Sequence, residues 1–230
     1  MSPAARRAEL ARPGPDAAGF VLAGGQSSRM GQDKALLHFA GRPLIANALS
    51  ILQSAGLPAS IAGAGPSLAS SFQAFALIVA DSEPGLGPLS GITAALASTP
   101  ARHAVFLPVD LPFLPPSLLV YLLRHAQVTE RAVTLVSVNG FVQTFPAILD
   151  RAALPALQAA LVSGNHGCFS AFQAAAAALG QTVSHIAVEF LAQSGHVAHP
   201  GGLPPVRWFL NLNTPSDLKR AETLATRHAA

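Results

Sequence analysis

Residues 20–34 of the chain are FVLAGGQSSRMGQDK. The apolar beginning of this stretch is typical of a buried β-strand, and a pair of glycines ends it. Gly24 and Gly25 carry no Cβ atom, so the backbone there can lie close to a ligand. Arg29 supplies a planar, forked donor and Lys34 a mobile point charge. A glycine-rich loop with two cations after the first strand predicts an anion-binding site.

The loop matches neither of two common nucleotide-binding patterns. It contains no G-x-x-x-x-G-K-[ST] sequence and no G-x-G-x-x-G sequence. The whole chain has only two lysines, and Lys34 is one of them. The position of this lysine therefore favours binding of a nucleoside triphosphate in a loop of a different type.

Short apolar runs alternate along the first half of the chain with longer stretches of helical spacing. The runs show little polar–apolar alternation, which is typical of strands in a sheet that is covered on both faces. The alternation of strands with helices predicts an α/β fold with a mostly parallel sheet and right-handed crossovers. In such a fold, ligands bind at the carboxyl ends of the strands. We expect strands at residues 19–23, 60–62, 76–80 and 104–109, and helices at residues 43–55, 88–98 and 115–125.

The second half of the chain is less regular. Asn139-Gly140 is a strong hairpin dipeptide, so the apolar runs on either side of it, residues 132–138 and 142–149, are expected to pair. The remaining expectations are two alanine-rich helices within residues 152–180, a strand at 182–189, a loop at 199–205, a strand at 207–212 and a closing helix at 214–226.

The composition favours a single soluble domain. Half of the 230 residues are apolar and only 11% are charged, which indicates a well-buried core rather than a disordered chain. We expect a flexible N-terminal tail at residues 1–18 and one domain at residues 19–230. The tail has arginines but no apolar core, so it is not a secretory signal. No apolar run approaches the ~18 residues of a membrane span.

The charge and the single cysteine exclude further classes of protein. The N-terminal tail contributes part of the formal net charge of +3. The sequence has no basic stripe interleaved with aromatic residues, so binding to nucleic acid is not expected. Cys168 is the only cysteine, so an intrachain disulfide is impossible and a cytoplasmic location is expected. We interpret Cys168 as a small buried apolar group.

Other candidate catalytic groups do not form a recognisable set. His196 and His199 share a Gly/Pro-rich loop, but no third ligand or helical spacing supports a metal site, and a solvated loop is expected. The sequence contains no G-x-S-x-G pattern, and no Ser–His–Asp set can be assigned from residue order. No protein nucleophile is therefore expected.

Three aspartates stand near the ends of expected strands. Asp33 lies in the loop after the first strand, and Asp81 and Asp110 directly follow the strands at 76–80 and 104–109. A carboxylate at the end of a buried strand is costly to desolvate unless it meets a cation or hydrogen-bond donors. Asp110, within VFLPVDLPF, is either a Mg²⁺ ligand or a cap of the helix that follows. The same two interpretations apply to Asp81.

A second glycine cluster extends from Asp81 to Gly91, with the sequence DSEPGLGPLSG. Its backbone N–H groups and the start of the next helix could receive a second anion or the edge of a base. The alternative is an ordinary connection between a strand and a helix.

Four segments resemble, in order, the motifs of the molybdenum cofactor guanylyltransferases, the MobA-type nucleotidyltransferases. The resemblance covers most of the chain from Gly19 onward. The segments are LAGGQSSRMGQDKALL at 22–37 with GRPL at 41–44, DSEPGLGPLSGI at 81–92, VDLPFLPP at 109–116 and NLNTPSDL at 211–218.

This resemblance implies a Rossmann-like, three-layer α/β/α nucleotidyltransferase fold and a Mg²⁺-dependent enzyme. The enzyme would transfer GMP from GTP to the phosphate of molybdopterin, release pyrophosphate and form molybdopterin guanine dinucleotide. Other proteins of the molybdenum cofactor pathway would be its possible partners. The resemblance also implies residue roles: Leu22, Ala23, Gly24 and Gly25 around the base and ribose, Lys34 with Arg29 on the phosphates, Asp81 in the guanine-nucleotide site, Asp110 on Mg²⁺, and Asn211 and Asn213 toward the acceptor.

Departures from the family pattern keep alternatives open. The segment after the second strand, ASIAGAGPS at 59–67, lacks an asparagine that is frequent there. Asn165 and His166 stand where basic residues are common. The alternatives are a nucleotidyltransferase that uses CTP or another nucleotide, one with a sugar-phosphate or alcohol-phosphate acceptor, and a nucleotide-binding regulatory domain without turnover.

Overall fold

The computed structural model describes residues 16–23, 34–63, 73, 76–81 and 85–228. Gly24, Gly25, Arg29 and Asp33 lie outside this part of the chain. The described strands are β1 Ala17–Leu22, β2 His38–Phe39, β3 Arg42–Pro43, β4 Ala59–Ala62, β5 Leu77–Val79, β6 His103–Pro108, β7 Val133–Val138, β8 Phe141–Asp150 and β9 Ser184–Ala187.

The described α-helices connect these strands or follow them. They are α1 Leu44–Ser54, α2 Pro88–Ser98, α3 Pro116–Thr129, α4 Leu154–Val162, α5 Cys168–Ala178, α6 Val188–Gln193, α7 Pro205–Trp208 and α8 Pro215–His228. Two 3₁₀ helices lie at Lys34–Leu36 and Arg151–Ala153. None of the described helices combines the length and the apolar character needed to cross a bilayer.

Seven strands form one sheet in the order β5-β4-β1-β6-β8-β7-β9. Strands β5, β4, β1 and β6 are parallel, and so are β7 and β9. Among the described strands of this sheet, β8 alone runs in the opposite direction, between β6 and β7. The predicted, mostly parallel sheet is therefore confirmed, and β1 begins at Ala17, so residues 17 and 18 belong to the sheet rather than to the expected tail.

The sheet is covered on both faces, which confirms the three-layer architecture. Val21 of β1 packs into a core that includes residues of α1, α3 and α8. Its neighbours Phe20 and Leu22 point to the other face and pack with residues of α2, α4 and α5. The rings of Phe20 and Phe106 stack there with centroids 5.5 Å apart. This double burial explains the nearly continuous apolar sequence of the central strands.

The expected hairpin and the two alanine-rich helices are confirmed. Asn139 and Gly140 adopt φ angles of 50° and 80°, the conformation that a two-residue turn between twisted strands requires. The turn places Val138 opposite Phe141. Helices α4 and α5 occupy the region expected for the alanine-rich pair.

In the last third of the chain, one expected strand is shorter than predicted and another was wrong. The strand expected at 182–189 is only Ser184–Ala187, and Val188 begins a helix. The strand expected at 207–212 is absent from the described chain: Pro205–Trp208 is a helical turn. The buried indole of Trp208 donates a hydrogen bond to the carbonyl of Leu203 at 2.7 Å, which stabilises this turn.

A buried histidine lies at the amino-terminal end of β6. The side chain of His103 is 4% exposed and its Nε2 lies 3.9 Å from Asp150 Oδ2. Neither ring nitrogen has a hydrogen-bond partner among the described residues. Asp150 accepts hydrogen bonds from Arg102 Nε at 2.9 Å and from the N–H of Ala152 at 2.9 Å. Burial lowers the pKa of His103, and Arg102 adds to this effect, while Asp150 opposes it.

This pKa shift predicts a pH dependence of stability. The unfolded chain takes up a proton on His103 near pH 6.5, whereas the folded protein does so at lower pH. The free energy of unfolding should therefore decrease as the pH falls from 7 toward 5, by at most ~1.4 kcal/mol per pH unit for one proton. His125, whose pKa burial also lowers, acts in the same direction.

Denaturant unfolding at several pH values tests this dependence. His103→Phe should flatten the decrease between pH 7 and pH 5, because it removes one of the two groups. His166→Gln, at an exposed position, is the matched control. An equal slope in the wild type and in His103→Phe would exclude His103 as a source of the dependence.

Candidate functional site

Two aspartates lie just beyond the carboxyl ends of parallel strands. Asp81 lies two residues beyond β5, and Asp110 two residues beyond β6. Ala23 follows β1 and donates its N–H to the carbonyl of Ala62 at 3.0 Å, which extends the pairing of β1 with β4. The edge predicted to bind ligands therefore carries the carboxylates that the sequence placed there.

Lys34 joins two distant parts of the chain at this edge. Its Nζ atom donates to Asp110 Oδ2 at 2.7 Å and to Asn213 Oδ1 at 2.7 Å. The side chains of Lys34 and Asp110 are only 16% and 20% exposed. Hydrogen bonds between charged groups are shorter and stronger than those between neutral groups. The three residues form one cluster, which we call the Lys34 cluster.

Packing of the neighbouring residues positions Lys34. It begins the 3₁₀ turn Lys34–Leu36, and the next residue, Ala35, is buried. The N–H of Leu37 donates to the carbonyl of Lys34 at 3.2 Å, and the N–H of Leu44 donates to the carbonyl of Leu37 at 2.8 Å. The turn is thus attached to the first residue of α1, which packs against the sheet.

Asp110 is held by apolar neighbours and does not cap a helix. Val109 and Leu111 on either side of it are buried. Helix α3 begins six residues later, at Pro116, and its capping position is Pro115. The interpretation of Asp110 as a helix cap is therefore wrong, and its carboxylate instead pairs with Lys34.

Asn213 reaches the cluster from the segment before α8. The N–H of the preceding residue, Leu212, donates to the carbonyl of Asp110 at 3.1 Å. Asp217, in the first turn of α8, accepts hydrogen bonds from the backbone of Asn213 and from Thr214. The hydroxyl of Thr214, these backbone N–H groups and the charge of Arg220 lower the pKa of Asp217.

The oxygens of the cluster suit a hard cation. Asp110 Oδ2 and Asn213 Oδ1 both lie 2.7 Å from the same positively charged nitrogen, so the ammonium of Lys34 already occupies a cation position between them. Carboxylate and amide oxygens are ligands that Mg²⁺ accepts, and Mg²⁺ commonly takes only one or two protein ligands and completes its shell with water and phosphate. The described residues contain no cluster of three or more His, Cys, Asp or Glu side chains able to hold a metal.

Asp81 forms a second, separate feature of this edge. Burial raises the pKa of its carboxyl group, and its Oδ1 atom is buried without a hydrogen-bond partner among the residues that the structure describes. A Cβ atom on Gly91 would lie 3.0 Å from this oxygen and 3.3 Å from the backbone of Gly63. The glycine at position 91 therefore lets helix α2 approach this edge without crowding Asp81 and Gly63.

The structure brings together only part of the site expected from the sequence. Leu22 and Ala23 are buried at the end of β1. Asn211 is exposed, and within the described chain no hydrogen bond joins it to the Lys34 cluster. Asn213, expected near the acceptor, accepts a hydrogen bond from Lys34.

The remaining candidates are Cys168, His196 and His199. Burial raises the pKa of the Cys168 thiol to about 11, which suits an unreactive group. The ring of His196 bonds Ser194 at 2.9 Å, and the ring of His199 accepts the N–H of Gly201 at 3.0 Å. Each of these two histidines thus has a hydrogen-bond partner two residues away in the chain.

Sequence reasoning missed Asp217. A signal for it exists in the sequence, because Thr214 and Asp217 stand three residues apart at the start of a helix, with Pro215 at its first position. This spacing is that of a capping box, with aspartate in place of glutamate.

Comparisons with known proteins agree with this architecture. A family model described as the MobA-like NTP transferase domain matches residues 19–182. The molybdenum cofactor guanylyltransferase of Cereibacter sphaeroides is 34% identical over 224 residues, which cover 92% of this chain and 98% of that protein. The protein of that name from Xanthomonas euvesicatoria pv. vesicatoria (strain 85-10) is 43% identical over 111 residues, and this match spans 47% of the chain and only 54% of the relative.

A solved structure shares the fold. The molybdopterin-guanine dinucleotide biosynthesis protein A from Archaeoglobus fulgidus has a TM-score of 0.73 and 23% sequence identity, over 91% of this chain and 98% of that one. The family match and the similarity to the Cereibacter sphaeroides protein confirm the resemblance found in the sequence. The chain belongs to the MobA-like NTP transferase domain family.

The close approach of α2 to Asp81 yields a prediction about stability. Alanine usually stabilises a helix relative to glycine by ~0.5–1 kcal/mol. We expect Gly91→Ala to have the opposite effect and to lower the free energy of unfolding by roughly 1–3 kcal/mol, because the new methyl group crowds Asp81 and the Gly63 backbone.

Chemical denaturation measures this effect, and the same helix provides the control. Ala97 is exposed, so Ala97→Gly should cost ~1 kcal/mol through helix propensity alone. If Gly91→Ala instead stabilised the protein by the amount that Ala97→Gly destabilises it, the crowding at Gly91 would be disproved.

Proposed function

We propose that this member of the MobA-like NTP transferase domain family transfers GMP from GTP to the phosphate of molybdopterin, with release of pyrophosphate. The observation that carries the proposal is the Lys34 cluster, in which one ammonium group lies 2.7 Å from both a carboxylate and a carboxamide oxygen at the ligand-binding edge of the sheet. The name shared by the relatives from Cereibacter sphaeroides and Xanthomonas supports the choice of nucleotide and acceptor.

The reaction needs no protein nucleophile. An oxygen of the acceptor phosphate attacks the α-phosphorus of GTP, a new P–O bond forms, and the bond to the pyrophosphate leaving group breaks. Catalysis of such a transfer consists mainly of positioning the two phosphates and neutralising the charge that develops on them. Lys34 provides a positive charge for this purpose, and its two contacts fix the position from which that charge acts.

The residues present fit a magnesium ion. Asp110 would hold Mg²⁺, with the carboxamide oxygen of Asn213 beside it, because both oxygens already surround the ammonium of Lys34. When bound, Mg²⁺ would neutralise charge on the nucleotide phosphates. The ammonium of Lys34 and the bound Mg²⁺ would then repel each other, so Lys34 would weaken the binding of a metal that no nucleotide accompanies.

Asp81 is suited to select the base. Its buried Oδ1 atom has no hydrogen-bond donor within the described chain, and guanine carries N–H donors that this oxygen could accept. An unpaired buried acceptor costs ~1–3 kcal/mol, so a base that supplies the missing donor gains affinity over one that does not. We propose that Leu22, Ala23, Gly24 and Gly25 adjoin the same nucleotide, while Arg29 assists Lys34 and Asn211 faces the acceptor.

Calorimetric titration with GTP, CTP, ATP and UTP, each with Mg²⁺, tests this assignment. GTP should bind about tenfold more tightly than CTP, because guanine offers the Asp81 carboxylate two adjacent N–H donors, at N1 and N2, whereas cytosine offers only its amino group. Asp81→Asn should remove most of this preference, and Asp110→Ala should weaken binding of every Mg²⁺-nucleotide.

Glu130→Gln, which removes one exposed carboxylate elsewhere, should leave the preference unchanged. A preference for CTP would retain the nucleotidyltransferase fold and replace the substrate in our proposal. Binding without pyrophosphate release in the presence of molybdopterin would favour the regulatory alternative.

Lys34→Met should separate the two functions proposed for Lys34. Loss of one preorganised charge should lower turnover by about 10²–10³-fold. In the absence of nucleotide, the same variant should bind Mn²⁺, a spectroscopic substitute for Mg²⁺, roughly three- to tenfold more tightly, because Asp110 is no longer paired with an ammonium group.

Electron paramagnetic resonance of free Mn²⁺ measures this affinity, with Asp110→Asn as the variant that should lose the site. Arg124→Met, which removes a cation from the surface of α3, is the control for a general change in net charge. Equal or weaker Mn²⁺ binding by Lys34→Met would show that Lys34 does not occupy the cation position.

A further inference from the structure

The beginning of α8 fixes the backbone of Asn213 from two sides. On one side, the N–H of Leu212 donates to the carbonyl of Asp110 at 3.1 Å. On the other side, Asp217 Oδ2 accepts the N–H of Asn213 at 3.1 Å and the N–H of Thr214 at 2.9 Å. The three consecutive residues 212–214 are therefore each held through a backbone N–H group.

The contacts of Asp217 exceed those of an ordinary helix cap. In a capping box the third helical residue accepts the N–H of the capping residue, here Thr214, and the capping hydroxyl accepts an N–H in return. Both bonds are present, with Asp217 N–H to Thr214 Oγ1 at 3.2 Å. The hydroxyl of Thr214 also donates to Asp217 Oδ2 at 2.8 Å. One more hydrogen bond to Asp217 comes from the N–H of Asn213, a residue that lies before the helix and outside the capping box.

This additional bond acts on the residue that contacts Lys34. Asn213 is exposed, so packing does not hold its side chain in place. A side chain on a fixed backbone needs to order only its own two torsions to reach Lys34 Nζ, whereas one on a mobile segment must order the backbone as well. Pro215, whose φ angle is restricted, further limits the segment on the helix side.

We propose that Asp217 is a positioning residue, which holds the backbone of Asn213 so that its carboxamide stays against Lys34. Asp217 itself lies next to Asn213 and Thr214 and has no direct hydrogen bond to Lys34 or Asp110 within the described chain. Its influence on catalysis passes through Asn213. The activity part of this inference rests on the proposed function, but the structural part does not.

A double-mutant cycle tests the route through Asn213. Asp217→Asn should lower kcat about tenfold and change KM for GTP by less than about twofold, because it disturbs the position of a group rather than a binding contact. If Asp217 acts only through Asn213, the double variant with Asn213→Ala should be no slower than Asn213→Ala alone. Losses that multiply in the double variant would overturn the proposal.

Two further variants exclude a purely structural effect. Glu222→Gln replaces another carboxylate of α8 by an amide, at an exposed position, and should leave kcat and KM unchanged. Asp217→Glu introduces the residue most common at this position of a capping box and should restore at least part of kcat. An equal loss of kcat in Glu222→Gln would attribute the effect to the charge of the helix.

A nuclear magnetic resonance experiment on the protein without ligands separates this inference from the proposed function. The ¹H–¹⁵N signals of the Asn213 side-chain amide are identified by their disappearance in Asn213→Ala. Asp217→Asn should shift them toward the positions of freely exposed asparagines, while Glu222→Gln should leave them in place. Unchanged signals in Asp217→Asn would overturn the inference even in an active enzyme, whereas shifted signals in a protein that transfers no GMP would overturn only the proposed function.

Discussion

The candidate site depends on one partly buried ammonium group. Lys34 is only 16% exposed and therefore loses much of its hydration, which two oxygens at 2.7 Å replace. These oxygens belong to Asp110 and Asn213, residues separated from Lys34 by 76 and 179 positions in the chain. The cluster can form only when β1, β6 and the segment before α8 have all reached their native positions.

The order of strands in the sheet makes this convergence possible. Strand β1 lies between β4 and β6 and is parallel to both, so the carboxyl ends of β1 and β6 are neighbours at one edge of the sheet. The hydrogen bond from Leu212 to the carbonyl of Asp110 then brings the C-terminal segment to the same edge. Helix α8 completes the arrangement, because its first turn supplies the carboxylate of Asp217 that holds Asn213.

Prediction from the sequence failed where local and tertiary preferences disagree. Apolar residues at 207–212 resemble a strand, yet the buried indole of Trp208 bonds the carbonyl of Leu203 and stabilises a helical turn. The apolar run at 182–189 was divided into a strand and a helix at Val188 for a similar reason, since Val188 and Leu191 pack together in the core. In contrast, Asn139-Gly140 was predicted correctly, because the turn needs only positive φ angles that these two residues adopt readily.

The sequence by itself determined the layered α/β architecture and the family and predicted an edge for ligand binding, because buried strands, turn residues and short motifs are encoded locally. It also identified Lys34, Asp110 and Asn213 as candidates. Only the tertiary structure decided that Asp110 pairs with Lys34 instead of capping a helix, that Asn213 belongs to the same cluster and that Asp217 supports it. These are contacts between distant segments, and their geometry depends on the packing of the whole sheet and of α8 rather than on any local pattern of residues.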